Sequence, residues 1–314
     1  MDRETIVKSN ADIRRNGMIF NAAAAKLGVD ATKRNIRFDD LAEEFPQDKV
    51  PFLDRESIDE ASLTTRQKHW RDHGYVVIPN MIDQSLIDEY IALRKELNLG
   101  KAHFSNFTPY VDHDIIRRIT LGSNMHEILS EVMGQDMGLH FTLTAFHSTE
   151  RGWHQDDYLN PDYVYSNYCA AWISLGEINP DAGPFEFVDG SHKWPCVRRH
   201  LVQKHLSEEF AMLTDSADGG KGHWAEFAET FVNEAYVREL EEKNCVVSQF
   251  LGRPGDVLIW HGKLVHRGSA PNDPSLERPS MISHFSGTTV RSDIGTDIRR
   301  NGDDGAYYWH FEKK

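Results

Sequence analysis

The chain has 314 residues, 39% of them hydrophobic, which is enough to bury a large core in one elaborated domain. Its 35 Lys and Arg against 49 Asp and Glu give a formal charge of -14, which opposes non-specific binding to nucleic acid or to an anionic membrane. No apolar run reaches roughly 18 residues, so no membrane span is expected. The start, Met1-Asp2-Arg3-Glu4, lacks a basic segment followed by an apolar one and does not read as a secretion signal. Cys169, Cys196 and Cys245 are odd in number and have no metal-type spacing, so a reducing, cytoplasmic setting fits best.

In chain order, Arg3 to Leu27 has helix-forming composition and stops at Gly28. Residues 29–63 mix charge with Pro46 and Pro51 without periodicity. They read as an irregular arm packed on the main domain or, in a homo-oligomer, on a second subunit, with no active-site role. The main domain then spans 64–314. A short helix from Thr64 to His73 leads into Gly74 and the β-branched strand Tyr75 to Ile78. Asp83 caps a helix through Leu97, whose apolar face (Leu86, Tyr90, Leu93, Leu97) is core, and a further helix is expected from Ser123 to Val132.

After Gly138 the pattern changes to strands: Leu139–Ser148, Gly152–Asp156, Tyr163–Ile178, Pro184–Val188, Val246–Phe250, Val257–Trp260 and Met281–Val290. Many short strands between Gly, Pro and Asp turns indicate a mainly β domain, a sandwich or barrel, with helical additions. An insertion at about 207–243 breaks at Gly219-Gly220 and carries a helical pattern in Trp224, Phe227, Phe231, Tyr236 and Leu240. It is read either as a lid at the barrel mouth or as cover for a sheet edge.

The chemistry-bearing stretch is Trp153-His154-Gln155-Asp156-Asp157-Tyr158. On an extended backbone residues two apart share a face, so His154 and Asp156 project together while Gln155 and Asp157 point away. Imidazole plus carboxylate suits a divalent first-row metal, and two His and one carboxylate make the facial triad of non-haem iron oxygenases. A third ligand is required, and either His261 or His266 can supply it. Arg278, followed by Ser280, opens a late strand where a guanidinium fork can hold a carboxylate at two points.

With these residues in view, the sequence resembles the phytanoyl-CoA dioxygenase-like family of iron(II)/2-oxoglutarate-dependent oxygenases. The likeness rests on His154-x-Asp156, on Leu264-Val265-His266 with Asn272 beyond it, on Arg278 and Ser280, on Gly190-Ser191-His192 and on Gly74 to Pro79. It covers roughly residues 64 to 290. It implies a double-stranded β-helix, the cupin-type jelly roll, flanked by N-terminal helices, and it selects His266 over His261. It further implies Fe(II) on His154, Asp156 and His266, with 2-oxoglutarate and O2 as co-substrates. Arg278 and Ser280 would then take the far carboxylate, and Trp172 would lie against the co-substrate. One of Thr142, Thr144 and Ser148 would reach the near carboxylate or keto group, Thr144 being the residue adopted.

The resemblance also implies oxidative decarboxylation of 2-oxoglutarate to succinate and CO2, coupled to oxidation of an unactivated C–H bond. Asp156 favours hydroxylation over halogenation, since halogenating relatives carry Gly or Ala there. Gln155, Asp157 and Tyr158 flank the ligands and are candidate substrate contacts. The acidic charge and aromatic-rich mouth point to a small polar metabolite, amine or amino-acid-like, with an acyl-CoA thioester as the alternative within the family. A non-catalytic jelly-roll binding protein is the competing reading, and the presence of both Asp156 and Arg278 argues against it.

Overall fold

The computed structural model of the chain describes residues 4–15, 28, 30–214 and 224–311, the side chains of 212–214 and 224–226 excepted. Its strands are β1 (Ile6–Ser9), β2 (Ala42–Glu43), β3 (Tyr75–Ile78), β4 (Met137–Leu143), β5 (Tyr168–Ser174), β6 (Phe185–Val188) and β7 (Cys196–Val197). They continue with β8 (Val247–Phe250), β9 (Val257–His261), β10 (His266–Gly268), β11 (Ser280–Gly287), β12 (Ile298–Arg300) and β13 (Tyr307–Trp309). A seven-stranded sheet in the order β12-β13-β4-β11-β5-β9-β3 faces a four-stranded sheet in the order β1-β8-β6-β10. This is the expected cupin-type jelly roll with helical additions.

Period-two alternation decides what each face of the large sheet does. Cys169, Ala171 and Ile173 on β5, Val257 and Ile259 on β9, and Met281 and Phe285 on β11 turn outward into a core shared with the helices. Ala170, Trp172, Leu258, Trp260 and Ile282 turn inward and meet Phe185, Phe187 and Phe250 from the small sheet. The register that aligns Ile282, Trp172 and Leu258 across three strands puts Trp172 at the centre of the inner face. Burying one such side chain contributes about 1.5–3 kcal/mol.

Helices Thr65–His73, Gln84–Glu96 and Ser123–Met133 form as expected, and Asp114–Leu121 adds a fourth. The first opens on a capping box in which Thr64 accepts from the Gln67 amide at 3.2 Å and Gln67 accepts from the Thr64 amide at 3.0 Å. It ends at Gly74, whose φ of 77° and close approach to the His192 imidazole leave no room for a Cβ.

The beginning of the chain differs from the expected helix. Ile6–Ser9 is an edge strand paired antiparallel to β8, with Ile6 and Val7 packed against the core between the sheets, and 16–27 lie outside the described residues. The following arm is anchored by a hydrogen bond between Asp54 and a buried imidazole. His261, on the outward face of β9, is 2.9 Å from Asp54 through Nε2 and receives the Lys263 amide on Nδ1 at 3.0 Å. Burial alone would raise the Asp54 carboxyl, but His261 outweighs it and holds the group below its ordinary value. Asp54→Ala is therefore expected to cost about 1–3 kcal/mol in urea unfolding at neutral pH. A lowered folded value stabilises above the unfolded pKa, near 4, and the advantage is lost as pH falls through the folded one. The gap between wild type and variant should narrow at pH 3.

The insertion folds as helices Ser207–Thr214 and Trp224–Glu242, and its Gly219-Gly220 break lies outside the described residues. Phe227, Phe231, Tyr236 and Leu240 pack into a third core with Phe38, Leu41 and Trp153. No described helix is long and apolar enough to cross a membrane, and all three cysteines are free thiols.

Candidate active site

The segment expected as a strand over Gly152–Asp156 is a single bridge. His154 and His266 exchange both backbone hydrogen bonds, at 3.1 and 3.0 Å, as an isolated antiparallel pair. Residues directly opposite in such a pair project to one side, and the two imidazole centroids are 4.3 Å apart. Gln155 keeps an extended backbone (φ -105°, ψ 140°), so Asp156 falls on the face of His154 before the chain turns into a 3-10 helix over Asp156–Leu159. Asp156 Oδ1 then lies 3.4 Å from His154 Nε2 and 3.6 Å from His266 Nε2. The ligand atoms of His154, Asp156 and His266 all lie within 4.8 Å of one another, close enough to hold one metal ion.

The surrounding bonds fix which nitrogen offers its lone pair. His154 Nδ1 donates to the Gly152 carbonyl at 2.7 Å and His266 Nδ1 to that of Leu264 at 2.8 Å. A carbonyl can only accept, so both Nε2 atoms are left unprotonated for a metal. Burial pushes His266 down to about 3. Burial would raise Asp156, but His266 and His154 beside it hold its carboxyl well below the ordinary range. Its Oδ2 accepts from the Trp260 indole at 3.0 Å, a contact with no forewarning in the motif. Trp260→Phe is expected to lower metal affinity by about 10–100-fold, the usual effect of losing such a partner. Cobalt(II) titration followed in the visible range checks it.

Gln155, Asp157 and Tyr158 do not face the site. Gln155 receives the Val197 amide at 3.0 Å and the Tyr236 hydroxyl at 2.7 Å, and donates to the Pro195 carbonyl at 3.2 Å. Asp157 accepts from the Ser166 amide at 3.0 Å, and burial pushes its carboxyl up to about 6. Tyr158 is buried in the core beneath the insertion. The opposite face of an extended segment belongs to whatever packs behind it, here the helix Trp224–Glu242. Glu229 bonds Arg151 (3.2 Å), Asn233 receives the Trp153 amide (2.8 Å), and Tyr236 bonds Gln155. Residues 229, 233 and 236 share one helix face and grip residues 151, 153 and 155, alternate positions of the ligand segment. The described part of the insertion thus braces the ligand segment, and its Glu229 reaches the lining of the outer cavity.

Arg278 is 1% exposed. Its Nη1 donates to the Gly183 carbonyl at 2.9 Å and lies 3.4 Å from Ser148 Oγ, and its guanidinium stacks 4.5 Å from the Trp172 ring centre. Among the described residues no carboxylate pairs with it. Burial lowers the guanidinium to about 9, still charged at neutral pH. Arg278 Nε and Trp172 Nε1 are both buried without partners, so two donors stand ready for an acceptor the chain does not supply. Ser280 is buried and directs its hydroxyl to the Arg278 carbonyl at 3.4 Å. Thr144, adopted above for the near carboxylate, is misplaced: its hydroxyl accepts from the Phe104 amide at 3.1 Å on the helix side of the sheet. Ser148, the third of those candidates, is the one beside Arg278.

A narrow chamber is lined by His154, Asp156, His266, Trp172, Trp260 and Gly268. A Cβ at Gly268 would collide with Thr149 and lie 3.6 Å from Arg278 Nη1, so glycine keeps this passage open. The chamber shares Leu143, Thr149, Arg151, Asp156 and His284 with an outer cavity of about 910 Å³.

A jelly roll with two histidines and a carboxylate converging at one end, and an unpaired buried guanidinium beside them, defines the class of non-haem iron oxygenases that use 2-oxoglutarate. The profile of the phytanoyl-CoA dioxygenase family matches residues 70–275, and the chain belongs to that family. Among solved structures it is similar in fold to the iron- and α-ketoglutarate-dependent epimerase SnoN from nogalamycin biosynthesis (TM-score 0.50, 18% identity, 74% of this chain and 86% of that one). It is likewise similar to EctD from S. alaskensis (0.52, 14%, 86% and 91%) and to the carbocyclase SnoK from nogalamycin biosynthesis (0.52, 15%, 81% and 97%). No curated protein sequence matches the chain significantly.

Proposed function

We propose that this chain is an Fe(II)/2-oxoglutarate-dependent dioxygenase that hydroxylates an unactivated carbon of a small molecule. The observation that carries the reading is Arg278, a buried cation without a counter-ion among the described residues, beside a metal-ligand triad. Bound ferrous iron with 2-oxoglutarate and O2 supplies the oxidising power, the keto acid leaving as succinate and CO2. His154, Asp156 and His266 would hold the metal through two imidazoles and a carboxylate. Arg278 takes the far carboxylate of 2-oxoglutarate, with the Trp172 indole as the neighbouring donor. Trp260 and the two backbone carbonyls orient the ligands. The inward aromatic face of Trp172, Phe185 and Phe187 excludes water from the reacting centre. Asp156 fills the position that a halide would need, which favours hydroxylation over halogenation.

Adding Fe(II) and 2-oxoglutarate without oxygen should give a weak visible charge-transfer band, and admitting O2 should then release succinate. A protein that binds iron yet develops no band with 2-oxoglutarate would refute the reading.

A further inference from the structure

The outer cavity carries its own recognition chemistry. About 910 Å³ is many times the volume of a free amino acid and lies within the range that buries a drug-sized ligand. One wall is a run of rings: Phe107 packs on Phe141 at 5.0 Å with the planes tilted by 31°, and Phe141 meets His284 edge-on at 5.1 Å. Phe107 is 48% exposed although it lies at the cavity, where an unpacked aromatic face is a contact surface rather than core. Leu159 and Ile294 also line the space, so a flat apolar body fits within it.

The charged groups in the lining are already engaged, Glu150 among them. Arg151 is paired with Glu229, and Asp156 belongs to the metal triad. Apart from Glu229 Oε1, which faces Arg151, two buried polar atoms of the lining have no hydrogen-bond partner among the described residues: Asn160 Nδ2 and His284 Nε2. The orientation of the Asn160 amide is fixed, since its oxygen accepts from Arg291 at 2.9 Å, which leaves the NH2 as a free donor. His284 Nδ1 is taken by the Tyr168 hydroxyl. Nε2 is therefore the imidazole's remaining polar atom, at the junction of cavity and chamber. Buried donors lacking an acceptor cost free energy until a ligand supplies one.

We propose that this cavity binds a neutral, flat, ring-bearing molecule of drug-like size, its hydroxyl or carbonyl groups meeting Asn160 and His284 while its rings stack along Phe107 and Phe141. This rests on the oxygenase reading and replaces the amine-like substrate expected from net charge. It also disfavours an acyl-CoA thioester, whose phosphates would need an unpaired cation.

Titration calorimetry on the full chain loaded with cobalt(II) and 2-oxoglutarate tests it. The probes are 1,4-dihydroxyanthraquinone and apigenin, with L-arginine and butyryl-CoA as the opposed chemistries. At least one ring compound should bind with micromolar Kd, at least tenfold weaker in Phe107→Ala/Phe141→Ala and in Asn160→Asp. The 2-oxoglutarate Kd, staying within twofold, shows that the variants are folded. Failure of both ring compounds to bind, ring binding indifferent to these substitutions, or tighter binding of arginine or butyryl-CoA would overturn the proposal. The anaerobic charge-transfer band in a parallel iron sample separates the two levels: a band without ring binding removes only the substrate class, whereas no band removes the oxygenase reading itself.

Discussion

Arg278→Met is expected to raise the dissociation constant for 2-oxoglutarate at least 100-fold while making the ligand-free protein more stable. Both effects have one cause. The guanidinium is buried, stacked on Trp172 and bonded to one carbonyl, with no carboxylate against it among the described residues. A charge taken out of water without a partner costs several kcal/mol, and an apolar side chain of similar volume removes that cost. The loss of the bond to Gly183 and the contact with Ser148 offsets only about 1 kcal/mol each. In the complex the balance reverses, because truncating one member of a buried charge pair costs about 2–5 kcal/mol, and 100-fold corresponds to about 2.7 kcal/mol. Calorimetric titration of 2-oxoglutarate and a thermal melt of the same samples read the two signs separately. A variant that melts lower and binds 2-oxoglutarate normally would show that Arg278 is a packing residue.

Periodicity made a β domain and the shared face of His154 and Asp156 legible in the sequence, whereas the jelly roll and the choice of His266 came from the family resemblance. His154 and Asp156 share a face whether the segment pairs fully or, as found, at one bridge, since only the extended backbone at Gln155 matters. The same parity was available for β11, where Ile282 and His284 turn to the inner side in step with Arg278 and Ser280, yet a histidine outside the motif drew no attention. Parity also separates His266 from His261, which falls in step with Val257 and Ile259 on the helix side and is occupied by Asp54.

What escaped depends on where strands stop and on what packs behind them. β4 ends at Leu143, with Phe141 and Leu143 lining the cavity, so Thr142 and Thr144 face the helices, and only the irregular chain beyond brings Ser148 to Arg278. Gln155, Asp157 and Tyr158 looked like substrate contacts because they flank the ligands. Gln155 is held by Tyr236 and Val197, Asp157 by Ser166, and Tyr158 packs in a core; these partners are distant in sequence, and Tyr236 comes from an insertion whose register against the site no local pattern encodes. Net charge says little about the cavity for a similar reason: -14 is a sum over the whole chain, whereas at the cavity Arg151 is paired with Glu229 and Asp156 belongs to the metal triad.

Asp156→Asn is expected to bring oxygenase activity below detection and to weaken metal binding by at least about 1,000-fold with little change in the fold. Asp156 supplies the only formal negative charge in the triad, and a divalent ion leaving water for a buried site needs that charge to balance its own desolvation. The amide keeps the carboxylate's shape and can still accept from the Trp260 indole, so the packing around His154 and His266 has no reason to change. The variant also loses the anion that holds the two imidazoles together, whose centroids are 4.3 Å apart. That removes a favourable charge contact in the metal-free state only to the extent that an imidazole is protonated, and burial keeps His266 neutral at physiological pH. Stability without metal should therefore stay close to wild type, while the metal-dependent gain disappears. A wild-type site at one hundred times its Kd gains about 2.7 kcal/mol, visible as a rise in melting temperature on adding cobalt(II). Under the same cobalt concentration the Asp156→Asn variant should melt where it melts without metal. A metal-induced rise equal to that of wild type would mean that the ion sits on ligands other than these three.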